Sequence, residues 1–310
     1  MGDELVAWAL DRFGGCGLKE ENLAITLLPF AARLTPACAG QNVQGYGHNG
    51  GRSFYPCSVV KLFYLAAAEA RLEEGTVQMH GELERAMRDM ILWSSNTGTN
   101  YIVDLVTGTT GDTLLDDAEM RDWIDKRLWV NRYFRSLGWA EFENLNVCQK
   151  LMDDQRYGRE SIFVQWGGNN HNRLTTDATT RLLYAILTGS IVTPTRSRHM
   201  RDLLERPTDP AFACHPQAQI EGYLGAGLPD GARLWSKCGR TLWTGDENAS
   251  YRRHDAAYVE LPSGKSFILA VFTEGKEVSE NAEILPAIAE KVCSLTQQFR
   301  AAQPAADMQI

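Results

Sequence analysis

The chain is organised around the stretch Pro56-Cys57-Ser58-Val59-Val60-Lys61, which is followed by an apolar, alanine-rich run from Leu62 to Ala70. Pro56 can begin a helix but cannot continue one, so it places the first helical turn where Ser58 occurs. The next residues are apolar on almost every side, and Gly75 ends the pattern. We therefore predict a helix buried inside a domain, with Ser58 at its N-terminus and Lys61 one turn later on the same face.

Ser58 and Lys61 are candidates for nucleophilic chemistry. A serine hydroxyl is a weak nucleophile, and a lysine can act as its base if burial or a neighbouring cation lowers the lysine pKa. The positive end of the helix also favours negative charge near Ser58. The alternative is an ordinary helix start with a solvated lysine, because a chain this long contains roughly one Ser-x-x-Lys by chance.

The composition limits the function classes. The chain has 310 residues, 44% hydrophobic and 23% charged, so it can bury a large core as one domain or two closely packed ones. A net charge of -8 without any Lys/Arg block argues against nonspecific nucleic-acid binding. No apolar run reaches membrane-spanning length, so we expect no membrane partner. The six histidines are scattered, and we expect no metal and no organic cofactor.

The N-terminus and the cysteines bear on location. The first residues are acidic and lack the basic-then-apolar order of a secretory signal. The seven cysteines are an odd number without metal-ligand spacing, which favours free thiols in a reducing compartment. We therefore expect a cytoplasmic protein, or a periplasmic or secreted one if a leader has been removed.

Strand patterns occur at both ends of the chain, with helical patterns between them. Strands are predicted over Leu23 to Phe30, within Val43 to Tyr55, and over Ala232 to Cys238, Asp255 to Leu261 and Lys265 to Phe272, the last two joined by the hairpin turn Pro262-Ser263-Gly264. Beside the Ser58 helix, helices are predicted over Asp3 to Phe13, His80 to Trp93, Asn100 to Val106, Trp123 to Leu137, from Thr176 through Leu187, Arg196 to Leu204 and Glu280 to Arg300.

This order predicts an α+β fold, in which an antiparallel sheet built from both chain ends is flanked by helices and an all-helical domain is inserted. We assign residues 1–64 and 206–310 to the sheet domain and residues 65–205 to the helical domain. The active site is expected in the cleft between them. The least regular region runs from Leu145 to Asn172.

Two further motifs support the functional interpretation of Ser58. One is Ser94-Ser95-Asn96, between two predicted helices, and the other is Lys237-Cys238-Gly239, on a predicted strand. With Ser58-Val59-Val60-Lys61 they resemble, in order, the S-x-x-K, S-x-N and K-[T/S]-G elements of the serine β-lactamase and penicillin-binding protein superfamily. The resemblance is closest to class A β-lactamases, runs from Phe54 to the C-terminus, and implies their two-domain fold.

The resemblance also implies roles for individual residues. Ser58 corresponds to the acylated nucleophile, Lys61 to its base, Ser94 to the serine that passes a proton to the leaving nitrogen, Asn96 to the side chain that binds a substrate amide, and Lys237 to the cation that holds Ser94. The backbone N–H groups of Ser58 and Arg240 correspond to the oxyanion hole, and Arg253 to the arginine that binds the substrate carboxylate. Independently of the family, several cations around one serine suit a small-molecule substrate that bears a carboxylate.

The chain departs from the family at two places. Cys238 replaces the K-T-G threonine, so a thiol stands where a hydroxyl would bind substrate; Arg240 could compensate, and a Cys57–Cys238 disulfide is one hypothesis that the resemblance suggests. The E-x-x-L-N element, whose glutamate activates the hydrolytic water, is missing. Glu160 is our candidate for that base and Glu143 the second, with solvated surface carboxylates as the alternative.

Three functions follow from these observations. The first is a serine hydrolase acylated on Ser58 that hydrolyses β-lactam amides. The second is a penicillin-binding-protein-like peptidase, amidase or esterase that acts on another small amide or ester, which the missing leader, Cys238 and the uncertain base favour. The third is a noncatalytic sensor that binds or is acylated by a ligand.

Overall fold

The centre of the molecule is an antiparallel sheet to which both ends of the chain contribute. The computed structural model describes residues 1–41, 43–111, 113–151, 156–207 and 210–299. In the order β2-β1-β5-β4-β3, the sheet contains five strands: β1 (Leu23–Phe30), β2 (Tyr46–His48), β3 (Arg233–Thr241), β4 (Arg252–Glu260) and β5 (Ser266–Glu274). The predicted α+β fold class, with a sheet assembled from both chain ends, is confirmed.

Strand β3 lies at one edge of the sheet. Its register against β4 pairs Lys237 with Ala256 and Arg240 with Arg253. Since β4 covers only one side of β3, alternate backbone N–H and C=O groups of β3 point away from the sheet. The predicted hairpin between β4 and β5 is present, with Gly264 in the left-handed conformation at φ +84°.

Helices cover both faces of this sheet. The described residues form α1 (Gly2–Phe13), α2 (Lys61–Glu73), α3 (Gly81–Leu92), α4 (Asn96–Thr107), α5 (Asp117–Arg127), α6 (Trp129–Ser136), α7 (Gly158–Gln165), α8 (Thr176–Thr188), α9 (Pro194–Leu204), α10 (Pro210–Ala213), α11 (Lys276–Glu280) and α12 (Ile284–Gln298). None of these helices is both long and apolar enough to cross a lipid bilayer.

Several helix boundaries differ from the predictions. Helix α4 begins at Asn96 rather than Asn100 because the Ser95 hydroxyl accepts a hydrogen bond from the Gly98 N–H at 3.0 Å and caps it. The helix predicted over Trp123 to Leu137 is two helices, α5 and α6, that meet at Leu128.

Two further regions differ from the prediction. The region from Leu145 to Asn172, predicted to be the least regular, contains helix α7. The closing helix begins only at Ile284, after the separate short helix α11. Its predicted last residue, Arg300, lies outside the described residues.

Two hydrophobic clusters hold these layers together. On one face of the sheet, α1 and α12 pack on side chains such as Phe267 and Leu269. On the other face, α2 and α8 pack on Trp235, Tyr258 and Phe272, and the same cluster continues into α3 and α4. Fully burying each large apolar side chain contributes about 1.5–3 kcal/mol. The division into residues 1–64 with 206–310 and residues 65–205 remains a prediction.

Helix α2 is the most deeply buried helix segment near the predicted site. Every residue from Lys61 to Ala70 is buried, as the all-round apolar pattern predicted. This helix starts directly after the turn that carries Ser58, so Ser58 is held at the end of a buried, closely packed helix.

Candidate active site

Ser58 lies in a 3₁₀ turn, Cys57–Val60, that leads into α2. The Lys61 backbone N–H donates to the Ser58 carbonyl, as this tight turn requires. Side chains three residues apart on a 3₁₀ turn eclipse each other, so Ser58 and Lys61 lie on the same side. The Lys61 side chain is fully buried, whereas Ser58 is half-buried.

Ser94 forms hydrogen bonds with the lysines of the other two motifs. Its hydroxyl oxygen accepts a hydrogen bond from Lys61 Nζ at 3.1 Å and another from Lys237 Nζ at 3.0 Å. Lys61 Nζ also donates to the Asn96 side-chain oxygen at 2.8 Å. The structure therefore brings Ser94, Asn96 and both lysines into one cluster next to the Ser58 turn.

The loop between α3 and α4 holds Ser94 in an unusual conformation. Ser94 has φ +56°, which non-glycine residues rarely adopt. The next residue, Ser95, donates its backbone N–H to the Asp89 carbonyl at 3.0 Å and caps α4 with its hydroxyl. The sharp turn between two fixed helix ends directs the Ser94 side chain at the two lysines.

Arg206, which the sequence motifs did not point to, ties this loop to the sheet. Its buried guanidinium donates to the carbonyls of Ile91 at 3.2 Å and Leu92 at 3.0 Å, at the C-terminal end of α3. It also donates to the Ser236 carbonyl at 2.9 Å, in the residue before Lys237. One cation therefore links the backbone near Ser94 to the backbone near Lys237, and it matches the negative end of a helix dipole.

The backbone of β3 passes directly against the Ser58 turn. A methyl group added at Gly239 would overlap the Ser58 nitrogen and come within 2.8 Å of Cys57 Cβ. Only glycine permits this approach. Because β3 is an edge strand and the first N–H groups of a helix have no partner inside it, backbone donors from both elements can face a common point. This arrangement is compatible with the predicted pair of donors, the N–H groups of Ser58 and Arg240.

Lys237 is a buried cation surrounded by neutral oxygens. Besides Ser94, its Nζ donates to the side-chain oxygen of Gln219 at 3.0 Å and to the Cys238 carbonyl at 2.8 Å. No described carboxylate lies within ion-pair distance of it. Burial lowers the pKa of Lys237 from 10.5 to about 8, because the charged form loses its hydration. Lys237 is therefore a buried charge whose direct partners are all neutral.

The two cysteines of interest are thiols, and the Cys57–Cys238 disulfide hypothesis is wrong. Cys57 Sγ lies 3.5 Å from the Thr241 hydroxyl, and Cys238 Sγ donates to the Gln219 carbonyl at 3.6 Å. Burial raises the pKa of each to about 12, so both stay protonated near neutral pH. The Cys238 thiol already has an acceptor within the protein.

Arg240 and Arg253 form a second centre of positive charge. They are paired across β3 and β4, and both donate to the Ser279 carbonyl, at 3.1 Å and 2.9 Å. Arg253 is buried and also donates to the Gly222 carbonyl at 2.9 Å, whereas Arg240 is exposed. Neither forms an ion pair with a described carboxylate, so this pair can attract an anionic group, as predicted for Arg253.

Glu160 is not part of this cluster. It lies on α7, buried, and its two carboxylate oxygens accept from Arg127 at 2.8 Å and 3.2 Å. The Arg127 side chain in turn stacks on Trp123, with 4.4 Å from the guanidinium carbon to the ring centre. Glu160 therefore belongs to a buried ion pair within the helical layer. The second candidate, Glu143, is exposed and follows a 3₁₀ turn.

Sequence reasoning missed Gln219 and Arg206. Neither belongs to a motif, and both lie in the Pro-containing stretch between α9 and β3, where periodicity carried no signal. Within the described ranges, no three His, Cys, Asp or Glu side chains are grouped so that they could hold a metal ion.

The sequence matches a protein-family model over most of its length. A family model described as the β-lactamase enzyme family matches residues 79–296, more than half of the chain. The match contains Ser94, Asn96 and Lys237 and begins after Ser58 and Lys61. No curated protein sequence matches the chain.

Solved structures share the whole fold at low sequence identity. A β-lactamase from Sphaerobacter thermophilus is 20% identical over 96% of this chain and 98% of its own, with a TM-score of 0.64. The extended-spectrum β-lactamase TLA-1, as a mutant, is 16% identical over 94% and 98%, with a TM-score of 0.65. The protein PBP-A is 17% identical over 94% and 96%, with a TM-score of 0.59. These similarities confirm the predicted β-lactamase-like fold.

Proposed function

The chain belongs to the β-lactamase enzyme family, and from this premise we propose that it is a serine hydrolase that is acylated on Ser58 and opens the cyclic amide of β-lactams. The observation that carries the proposal is the pair of hydrogen bonds that Ser94 accepts from Lys61 and Lys237. A hydroxyl has two lone pairs and one hydrogen. With both lone pairs engaged by lysines, the Ser94 hydrogen is left to be donated to a third group.

The proposed acylation step uses Ser58, Lys61 and Ser94. The Ser58 oxygen attacks the amide carbonyl carbon and forms a C–O bond, while the Ser58 proton moves to the neutral amine of Lys61. The C–N bond then breaks. The leaving nitrogen takes the Ser94 hydrogen, and Lys61 returns its extra proton to the Ser94 oxygen, which it contacts at 3.1 Å. Backbone donors from the Ser58 turn and β3 stabilise the oxyanion, typically by about 2.7–4 kcal/mol for each donor.

Deacylation completes the cycle. A water molecule adds to the ester carbonyl, the bond to Ser58 breaks, and Ser58 regains its proton. After the relay Lys61 is again a neutral amine, so it is available to accept a proton from that water. The products are the free acid and the original enzyme.

Charge selects the substrate in this proposal. Lys237 lacks a described counter-ion, and Arg240 and Arg253 lie further along the same two strands. A substrate with a carboxylate next to its reactive amide would be attracted along this row of cations. Because β3 is an edge strand, its backbone groups beyond the bridge between Trp235 and Glu205 can offer hydrogen bonds to such an extended substrate.

The proposal is tested by labelling Ser58. A fluorescent penicillin incubated with the protein should form an adduct whose mass is the sum of protein and penicillin, located on the Ser58 peptide by mass spectrometry. Ser58→Ala should abolish the adduct, and Ser161→Ala, which alters a serine on α7 outside the cluster, should leave it unchanged. If the fluorescent penicillin labelled Ser58→Ala as fully as the parent protein, the proposal would be refuted.

A second candidate is a penicillin-binding-protein-like peptidase, amidase or esterase. The observation that favours it is the pairing of both Glu160 oxygens with Arg127, which removes the predicted water-activating carboxylate from the cluster. Among the similar structures is the acyl-enzyme complex of a PBP-A mutant with penicillin G. A Ser58 adduct that persists for hours, with turnover of small esters but not of a chromogenic cephalosporin, would favour this second function.

A further inference from the structure

Gln219 contacts two consecutive residues of the β3 motif. Its side-chain oxygen accepts from Lys237 Nζ at 3.0 Å, and its backbone carbonyl accepts from Cys238 Sγ at 3.6 Å. Gln219 ends the 3₁₀ turn Pro216–Ala218 in the left-handed conformation, at φ +56° and ψ +42°. This conformation costs a non-glycine residue roughly 1–2 kcal/mol, so contacts around it must hold it there.

The segment before Gln219 packs against the loop that carries Ser94. Phe212 and His215 pack on Trp93, with ring centres 5.1 Å and 5.2 Å apart. Trp93 is the residue before Ser94, so the stretch from Phe212 to Gln219 is held next to both partners of the Lys237–Ser94 hydrogen bond. It fixes Gln219 relative to Ser94 as well as to β3.

Lys237 depends on neutral acceptors for its charge. All three of its Nζ hydrogens have oxygen acceptors, from Ser94, Gln219 and its neighbour Cys238. Of these acceptors, only the Gln219 oxygen belongs to a side chain outside the recognised motifs. The titratable and charged groups around the ammonium are Lys61, which shares Ser94 with it, and Arg206, Cys57, Cys238 and Asp255.

None of the described anionic groups touches the ammonium directly, and its hydrogen-bond partners are neutral oxygens. Arg206 repels it, while the two cysteines are neutral near pH 7 because burial raises the pKa of each to about 12. Burial raises the pKa of Asp255 to about 6, so this carboxylate is largely charged near pH 7 and favours the ammonium, but only from beyond hydrogen-bond distance. An unmet N–H donor on a buried ammonium costs more than one on a neutral group. The Gln219 oxygen is therefore a main support of the charged form.

We infer that Gln219 is a positioning residue that holds the Lys237 ammonium against Ser94 and keeps it protonated at neutral pH. The inference rests on the proposed function for its catalytic meaning. Without the Gln219 oxygen, Lys237 would lose its proton at lower pH and would hold both Ser94 and an anionic substrate less well.

Three variants test the inference. Gln219→Leu removes the acceptor at similar size and with the same backbone demand, and Gln219→Glu replaces it by a carboxylate. Gln217→Leu is the control, because Gln217 is exposed two residues earlier in the same segment. The rate of Ser58 acylation by a fluorescent penicillin should decline at a pH about one unit lower in Gln219→Leu, a tenfold change in proton affinity. Gln219→Glu should move the decline to higher pH, and the control should match the parent.

A second readout does not depend on activity. With isotopically labelled lysine, the Lys237 side-chain signal, assigned by its loss in Lys237→Ala, is titrated by NMR in the free protein. It should titrate at lower pH in Gln219→Leu and at higher pH in Gln219→Glu. Identical titrations in all variants would overturn the inference. If penicillin never labels the parent protein, the proposed function fails, while the titration still decides the role of Gln219; if Gln219→Leu does not fold, Gln219→Glu decides it.

Discussion

Replacing Glu160 by glutamine separates a structural role from a catalytic one. In the structure, Arg127 is fully buried and contacts Glu160 at 2.8 Å, Asp104 at 3.4 Å and the Thr109 hydroxyl at 3.1 Å. Of the ion pairs that the described residues form with this buried guanidinium, Glu160→Gln leaves the longer one, with Asp104 at 3.4 Å. Removing one partner of a buried pair typically costs 3–5 kcal/mol, and because Asp104 remains, we expect about 3 kcal/mol.

The assay combines urea unfolding with acyl-enzyme kinetics. We expect Glu160→Gln to lower the free energy of unfolding by about 3 kcal/mol and to leave the lifetime of the Ser58 adduct unchanged at a temperature where the variant is folded. The double variant Glu160→Leu with Arg127→Met should lose less than the sum of the single variants, because no unpaired charge remains. Glu143→Gln, at an exposed position, should change neither quantity.

The opposite outcome would refute this reasoning. If Glu160→Gln kept its stability but accumulated a long-lived adduct on Ser58, Glu160 would be the water-activating base that the family resemblance implied. The ion pair with Arg127 would then have to open during the reaction.

Further predictions concern the charge of Lys237, the glycine at position 239 and the reactivity of the cysteines. Acylation should decline above pH 8, where Lys237, with its pKa of about 8, loses its charge, and pH–rate profiles check this. Between pH 8 and the ordinary lysine pKa of 10.5, the folded chain binds fewer protons than the unfolded chain, so the free energy of unfolding should rise with pH, which urea titrations check. Gly239→Ala should slow acylation about 10²-fold or more, because its methyl group would overlap the Ser58 backbone, and equal labelling rates would contradict this. In native alkylation followed by mass spectrometry, Cys16 and Cys214 should react first because they are exposed, and all seven cysteines should react after unfolding without reductant.

Local signals predicted much of the fold. Strand β1 occupies the predicted residues, and the Pro262-Ser263-Gly264 turn joins β4 and β5. The all-round apolar run after Lys61 predicted a buried helix, and the structure contains it. These features depend on residues that are close in the sequence, so propensity, turn chemistry and hydrophobic periodicity describe them sufficiently.

The parts that were not predicted depend on contacts between distant residues. Ser94 and Lys237 could be selected because their motifs carry the family's signature, although 143 residues separate them. Arg206 acts through backbone carbonyls, which any sequence supplies, so no residue pattern marks its partners. For Glu160 the sequence offers a candidate base but not its ion-pair partner, because Arg127 lies on another helix, 33 residues away in the sequence.

The backbone conformation around Ser94, Lys61 and Lys237 indicates that this cluster is preorganised. Three non-glycine residues with positive φ border it: Cys57 at +49°, Ser94 at +56° and Gln219 at +56°. Positive φ alone does not mark a site, since Val192 has the same conformation within apolar packing. The three residues differ from Val192 in their neighbours. Cys57 precedes Ser58, Ser94 contacts Lys61 and Lys237, and Gln219 contacts Lys237. Packing that maintains these strained conformations in the free protein also fixes the positions of the lysines before a substrate binds. Charges that are already in position can stabilise a transition state without rearrangement of the protein.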